Sequence, residues 1–170
     1  MTTKIQNFPQ PATSQAAGFS WSNFFKHESA GYDDLYVMSP IDRSVLVKIG
    51  APSRSLTVIA KDMNIPRDRF IALIGVKRAT AARKLASNSK LSADESERLV
   101  GIAKLIGQVE SIVKESGNPE NFKPARWFAQ WIEEPSSALG GRKPADLLDT
   151  ADGREAVSRL LAQMQSGAYA

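Results

Sequence analysis

Apolar residues recur at steps of three and four in short blocks broken by Gly, Pro and Ser, and no stretch alternates as a half-buried strand does. Ser39-Pro40 offers an N-cap followed by Pro at the first helical position; Ile41, Val45, Leu46 and Ile49 follow at helical spacing, and Gly50 with Pro52 stops the segment. Ser53 is placed to cap a second helix, whose apolar face is Leu56, Ile59, Ala60 and Met63. Pro66 opens a third, carrying Phe70, Leu73 and Ile74 and ended by Gly75, and a fourth runs from Lys77 to about Ser87. Leu91 precedes Ser92-Ala93-Asp94-Glu95, a Ser-x-x-Glu capping box that starts a long helix. Its stripe of Leu99, Ile102, Ala103, Ile106, Val109, Ile112 and Val113 suits one buried face, and Ser116-Gly117 ends it. After Pro124 a short helix carries Trp127, Phe128, Trp131 and Ile132. Glu133 to Lys143 is a loop, with Leu139 expected to plug the core and Gly140-Gly141 to permit positive φ and close backbone packing. Pro144 opens a single turn through Leu148. A last helix, around Gly153 to Gln165, turns Val157, Leu160, Leu161 and Met164 inward, with Gly167 as its stop. The predicted class is all-α.

Residues 1–38 hold no persistent period; Phe8, Phe19, Trp21, Phe24, Phe25, Tyr32 and Tyr36 are scattered among Thr, Gln, Ser, Ala and Pro. They read as a flexible arm, docked by its aromatics onto a partner; the alternative is aromatics folded back on the chain's own core. The predicted organisation is an arm at 1–38, a helical region at 39–116 and a C-terminal domain at 117–170.

Composition narrows the chemistry. With 42% apolar and 24% charged residues over 170 positions, the chain can bury a core. It has no cysteine, which excludes a disulfide framework, a thiolate nucleophile and Cys-ligated metal. One histidine, His27, excludes a multi-His cluster. No apolar run approaches the ~20 residues of a membrane span, and no secretory h-region opens the chain, so the expected location is the cytoplasm, with no membrane partner. The net charge of +4 is unevenly spread: −1 over residues 1–38, +8 over 39–90 and −3 over 91–170. A basic segment of that kind is the footprint of contact with a polyanion. A solvated basic face without a partner is the competing reading.

Within the basic segment, residues 66–87 read as helix, turn at Gly75-Val76, helix: the layout of a helix-turn-helix. The second helix is expected to turn Ala79, Ala82 and Leu85 inward, leaving Lys77, Arg78, Thr80, Ala81 and Lys84 outward and Arg83 free to face either way. Small residues let a helix approach base edges, and Arg, Lys and Thr donate to bases and phosphates. An ordinary αα-hairpin with a basic face is the alternative. The Gly140-Gly141-Arg142-Lys143 run lacks the spacing of a phosphate loop and follows no strand. Asp94, Glu95 and Glu97 sit where a helix N-terminus favours negative charge, and the Trp127/Trp131 pair reads as core or interface. No catalytic, cofactor or metal site is expected.

Three stretches resemble the Xre/MbcA/ParS-type antitoxins, in order and at similar spacings over about residues 55–170. The first is Gly75-Val76 with Thr80, Arg83, Leu91-Ser92 and Glu95-Ser96-Glu97-Arg98-Leu99. The second is Trp131, Pro135, Ala138-Leu139-Gly140-Gly141 and Pro144. The third is Leu147-Leu148-Asp149-Thr150, Gly153, Val157, Leu160-Leu161 and Gly167-Ala168-Tyr169-Ala170. The connection from Ser116 to Pro124 is longer than that pattern, and the first forty residues match nothing in it.

The resemblance implies a helix-turn-helix DNA-binding region followed by a small helical toxin-binding domain, and a non-enzymatic antitoxin. It implies a cognate RES-domain toxin that degrades NAD, or in some members ADP-ribosylates. It implies coverage of the toxin's active site by the C-terminal segment, and repression of the chain's own operon through operator DNA. The toxin-facing candidates are then Leu139, Gly140, Gly141, Arg142 and Pro144, with Gly167, Ala168, Tyr169 and Ala170 as an anionic, aromatic-tipped plug for a cleft that binds NAD. The DNA-facing set is Lys77, Arg78, Thr80, Ala81, Arg83 and Lys84. Palindromic half-sites imply a homodimer, through the helix at 92–116 or that at 124–132, and nucleoid association when operator-bound. A stand-alone helix-turn-helix regulator without a toxin partner is the alternative, and a structural or adaptor helical protein is a third reading.

Overall fold

The computed structural model describes residues 21–24, 31–117 and 120–166. In order, its helices are α1 (Trp21–Phe24), α2 (Tyr32–Val37), α3 (Pro40–Ile49), α4 (Ser55–Asp62), α5 (Arg67–Leu73), α6 (Arg78–Ala86), α7 (Ala93–Glu115), α8 (Pro124–Trp131) and α9 (Ala151–Gln165). Two 3-10 turns, Ser137–Leu139 and Pro144–Leu147, lie between α8 and α9. The described residues contain no strand, only isolated bridges joining Pro52 to Lys90 and Ser136 to Arg142. The class is all-α.

The 23-residue helix α7 is the spine. Its capping box closes in both directions: the Glu95 amide donates to Ser92 Oγ at 3.2 Å, and the Ser92 amide donates to Glu95 Oε2 at 2.7 Å. Two orphan donors of the first turn are thereby satisfied. The expected stripe is buried from Leu99 to Val109, but Val100, Leu105, Gly107 and Gln108 are buried as well. More than one face is covered because α2, α3, α8 and α9 all pack on this helix.

Along α7 the closest approach is at Gly107. A Cβ there would lie 2.6 Å from the Tyr32 carbonyl carbon and 3.0 Å from Tyr36 Cβ, with the Tyr32 carbonyl oxygen nearer still. Trp21, Phe24, Tyr32 and Leu35 are buried, and Phe24 meets Trp21 and Tyr32 edge-on at 5.7 and 5.4 Å. These residues of the segment read as an arm therefore fold back onto the core, because α7 offers a second apolar face that one helical stripe does not reveal. Phe8, Phe19, Phe25 and His27 lie outside the described residues.

Several local expectations are corrected. Ser53 does not cap α4, since Arg54 occupies the cap position; its hydroxyl donates to the Lys84 carbonyl at 3.0 Å and ties α4 to the end of α6. In α3 only Leu46 of the four apolar residues is buried, while Ile41, Val45 and Ile49 are exposed. Met164 is exposed at the end of α9. Leu139 is half-buried outside the main cluster; Gly140 and Gly141 do take φ of 64° and 80°, but open space surrounds both, so no close packing explains them.

Candidate functional site

The positively charged surface is built on α5 and α6. Gly75 turns between them at φ 61°, in the left-handed region that favours glycine. Ile74 and Val76 on either side are buried, and Arg98 Nη1 donates to the Gly75 carbonyl at 3.0 Å. The register of α6 differs from expectation. Ala81 is fully buried, whereas Ala79 and Ala82 are exposed. A helix with so little apolar contrast takes its orientation from its neighbours, and burying Val76 and half-burying Leu85 fixes Ala81 beneath them. Ala81 is thus removed from the DNA-facing set.

Lys84 leaves it too. Its ammonium donates to Glu95 Oε2 at 2.5 Å, with side chains only 17% and 14% exposed, so it anchors α6 to the start of α7. Burial pushes the Glu95 carboxyl up, but Lys84 and the Ser92 amide more than offset it and hold it below its ordinary value. Lys77, Arg78 and Arg83 are exposed and Thr80 half-exposed, beside the small outward residues Ala79 and Ala82. Arg78 makes a solvated ion pair with Asp68 at 3.3 Å, and Arg83 makes no ion pair among the described residues. Four donors around a pair of alanines can lie against phosphates and base edges.

The second surface follows α7. Trp127 and Trp131 of α8 stack at 5.7 Å, with an interplanar angle of 10°, and stay half-buried, while Phe128 is fully buried. Beside them a groove of about 270 Å³ is lined by Ile112, Val113, Phe122, Trp127, Leu161 and Met164. The loop after α8 is closed by the Ser136 amide donating to the Arg142 carbonyl at 3.0 Å and the Gly141 amide donating to the Ser136 carbonyl at 2.9 Å. Gly140, Gly141 and Arg142 are exposed at its tip. Pro144 is buried at the start of the following turn and is withdrawn from the contact set. Gly167, Ala168, Tyr169 and Ala170 lie outside the described residues.

Two ion-pair systems join these elements, one of them linking α5 to the loop after α8. Glu133, just past α8, bonds to Arg69 of α5 and to Lys143 of the loop at 3.3 Å. The Arg69 guanidinium, with Lys143 behind it, holds the Glu133 carboxyl below its ordinary value. Deeper in, Arg154 of α9 is 6% exposed; it grips both Glu97 oxygens at 2.5 and 2.7 Å and donates to the Leu148 carbonyl at 2.9 Å. A Cβ at Gly101 would lie 2.7 Å from Arg154 Cδ, so the bare α7 backbone is what admits this side chain. Sequence reasoning missed Arg154; the signal for it was a glycine in the middle of a long helix, which marks a close approach. Among the described residues no group of three or more His, Cys, Asp or Glu side chains is placed to hold a metal ion, and no helix is long and apolar enough to cross a membrane.

These features define a helix-turn-helix region sharing one long helix with a small helical docking domain. The model of the antitoxin Xre-like helix-turn-helix domain matches residues 42–104, and that of the antitoxin Xre/MbcA/ParS C-terminal toxin-binding domain matches residues 120–167. A curated relative from Sphingobium sp. (strain YBL2), named Prs ADP-ribosylating antitoxin, is 42% identical over 139 residues, covering 82% of this chain and 87% of its own length. The chain belongs to the Xre/MbcA/ParS antitoxins.

Proposed function

We propose that this antitoxin neutralises an ADP-ribosylating toxin of the RES type by covering its active site with its C-terminal segment, and that as a homodimer it represses its own operon by binding operator DNA. The observation that carries the reading is the pairing, on one chain, of an exposed Lys77–Arg78–Arg83 face in the helix-turn-helix region with a toxin-binding domain whose last described helix ends at Gln165. The segment that follows it, Gly167 to Ala170, carries the aromatic ring of Tyr169, which suits a cleft built for NAD. NAD degradation and ADP-ribosyl transfer break the same nicotinamide–ribose bond. The relative's name favours transfer as the toxin's reaction. The antitoxin acts by binding alone, and its operator-bound fraction is associated with the nucleoid.

Co-expression with the product of the neighbouring gene tests this. The expected result is a co-purifying complex in which transfer of label from NAD to cellular protein stops, and from which deletion of Ala168–Ala170 restores transfer while the complex persists. A neighbouring product that neither consumes NAD nor co-purifies would overturn the toxin reading, leaving a stand-alone regulator. Unchanged neutralisation by the truncated chain would discard the plug.

A further inference from the structure

Besides the groove beside α8, the described surface carries an apolar ridge that the fold does not use. Along α3, Ile41, Val45 and Ile49 are 75%, 46% and 53% exposed, and Val37 just before the helix is 66% exposed. Three of the four lie at steps of four on a single ridge about 12 Å long, while the adjoining side of the helix buries Asp42 and Leu46. Isolated surface apolar residues are ordinary; four contiguous ones are a contact surface.

We infer that this ridge is the surface through which two copies of the chain pair, with the α3 helices antiparallel about a two-fold axis at Val45. The occupant follows from the pattern. Ile-x-x-x-Val-x-x-x-Ile reads the same in both directions, so an antiparallel copy sets Val45 on its own counterpart and Ile41 on Ile49, as an isologous contact requires. Charge agrees with the same direction. Asp34, exposed on α2, lies before the ridge, and Lys48, exposed, lies at its far end. Antiparallel pairing brings the basic end of each copy to the acidic end of the other and opposes the two helix dipoles. A specific dimer buries about 800 Å² per partner; the ridge supplies the apolar centre, and Asp34, Ser44 and Lys48 supply the polar rim. On the long helix, one of the two expected to pair, the apolar residues from Leu99 to Val109 are covered by its neighbours.

The inference rests on the homodimer of the proposed function and names its surface, so it is tested on the full chain without DNA or toxin. The chain has no cysteine of its own, which makes single-cysteine variants clean reporters. Val45→Cys is expected to oxidise to a covalent dimer, because the two-fold brings the paired Cβ atoms within disulfide range. Ile41→Cys and Ile49→Cys are each expected to stay monomeric in covalent terms and to cross-link when mixed. Sedimentation of Val45→Lys is expected to show at least a tenfold weaker dimer with an unchanged helical spectrum, since the position is already solvent-exposed in one copy.

A wild-type chain that stays monomeric from about 1 to 300 µM, the range in which a modest apolar interface dissociates, would overturn both the ridge and the homodimer. A dimer unaffected by Val45→Lys would overturn the ridge alone and place the pairing elsewhere. A monomer whose Val45→Lys variant loses the toxin would assign the ridge to the toxin and overturn the inference. Failure to bind operator DNA leaves each of these results standing.

Discussion

Replacing Gly107 by Ala tests the contact on which the packing of α2 depends, because two effects of opposite sign meet there. In an unconstrained helix interior the change stabilises by about 1 kcal/mol, since Ala loses less backbone freedom than Gly. At Gly107 the added methyl would lie 2.6 Å from the Tyr32 carbonyl carbon and 3.0 Å from Tyr36 Cβ. The nearest obstacle is backbone, so no rotamer change relieves it and α2 has to move. Overpacking of this kind costs about 1–3 kcal/mol, toward the upper end where backbone is involved. The loss is bounded by complete undocking of α2, which would release Tyr32 and Leu35 at roughly 2 kcal/mol each and break the 2.7 Å bond from Tyr32 Oη to Asp62. The net expectation is a destabilisation of about 1–2 kcal/mol after the helix-propensity gain is subtracted. In a chain of this size that lowers Tm by roughly 2–8 °C. Urea unfolding followed by far-ultraviolet circular dichroism measures it, and hydrogen exchange at the Leu35 and Met38 amides, bonded within and just beyond α2, reports where the loss falls. A variant as stable as the parent, or about 1 kcal/mol more so, would refute the close approach of α2 to α7.

Four further outcomes follow from the surfaces and contacts described. Ser92→Ala removes the acceptor for the Glu95 amide and is expected to cost about 1 kcal/mol in urea unfolding, as N-cap deletions do. On operator DNA, Arg83→Ala is expected to weaken binding by about 1–3 kcal/mol if it reads a base edge, and to reduce the salt slope if it meets a phosphate; Lys84→Met is expected to leave binding intact and lower stability, because its ammonium is committed to Glu95. The pH dependence follows from Glu133 and Glu95, whose folded carboxyls titrate below their ordinary values. Their contribution is fully present above the unfolded carboxylate value of about 4.3 and is lost as pH falls through the lower folded values. The urea midpoint should therefore fall below about pH 4.3, and Glu133→Gln should flatten part of that fall; a midpoint that rises with acid would contradict both pairings.

The parts legible in the sequence were those fixed by one residue's own chemistry. The Ser92–Glu95 box, the Gly75 turn and the proline that opens α8 appear where the residues placed them, because caps and turns are settled within a few positions of the chain. What was not legible depends on how many neighbours an element has. A stripe from Leu99 to Val109 shows that α7 buries a face, but its period cannot show that Val100, Leu105 and Gly107 meet further helices. For the same reason Trp21, Phe24 and Tyr32 could be read either as an arm or as core. The orientation of α6 was lost for the opposite cause: Ala79, Ala81 and Ala82 are identical in hydropathy, so only the packing of Val76 and Leu85 chooses among them.

The same dependence on neighbours bears on function. The basic face and the docking domain meet on α7: Arg69–Glu133–Lys143 joins α5 to the loop after α8, and Arg154–Glu97 joins α9 to α7. Arg69 belongs to the helix that precedes the Gly75 turn, and Lys143 to the loop whose exposed tip carries Gly140, Gly141 and Arg142. A partner that takes Lys143 into its own contacts withdraws a cation from Glu133, and the remaining carboxylate charge then falls on Arg69 alone. Such a change reaches Arg69 of α5 without touching the exposed Lys77, Arg78 and Arg83, because Glu133 is the common partner. Glu133→Gln removes that common charge while leaving both contact surfaces in place. If occupancy of one surface alters affinity at the other, this variant loses the alteration and keeps each separate affinity; if the two surfaces are independent, it changes neither.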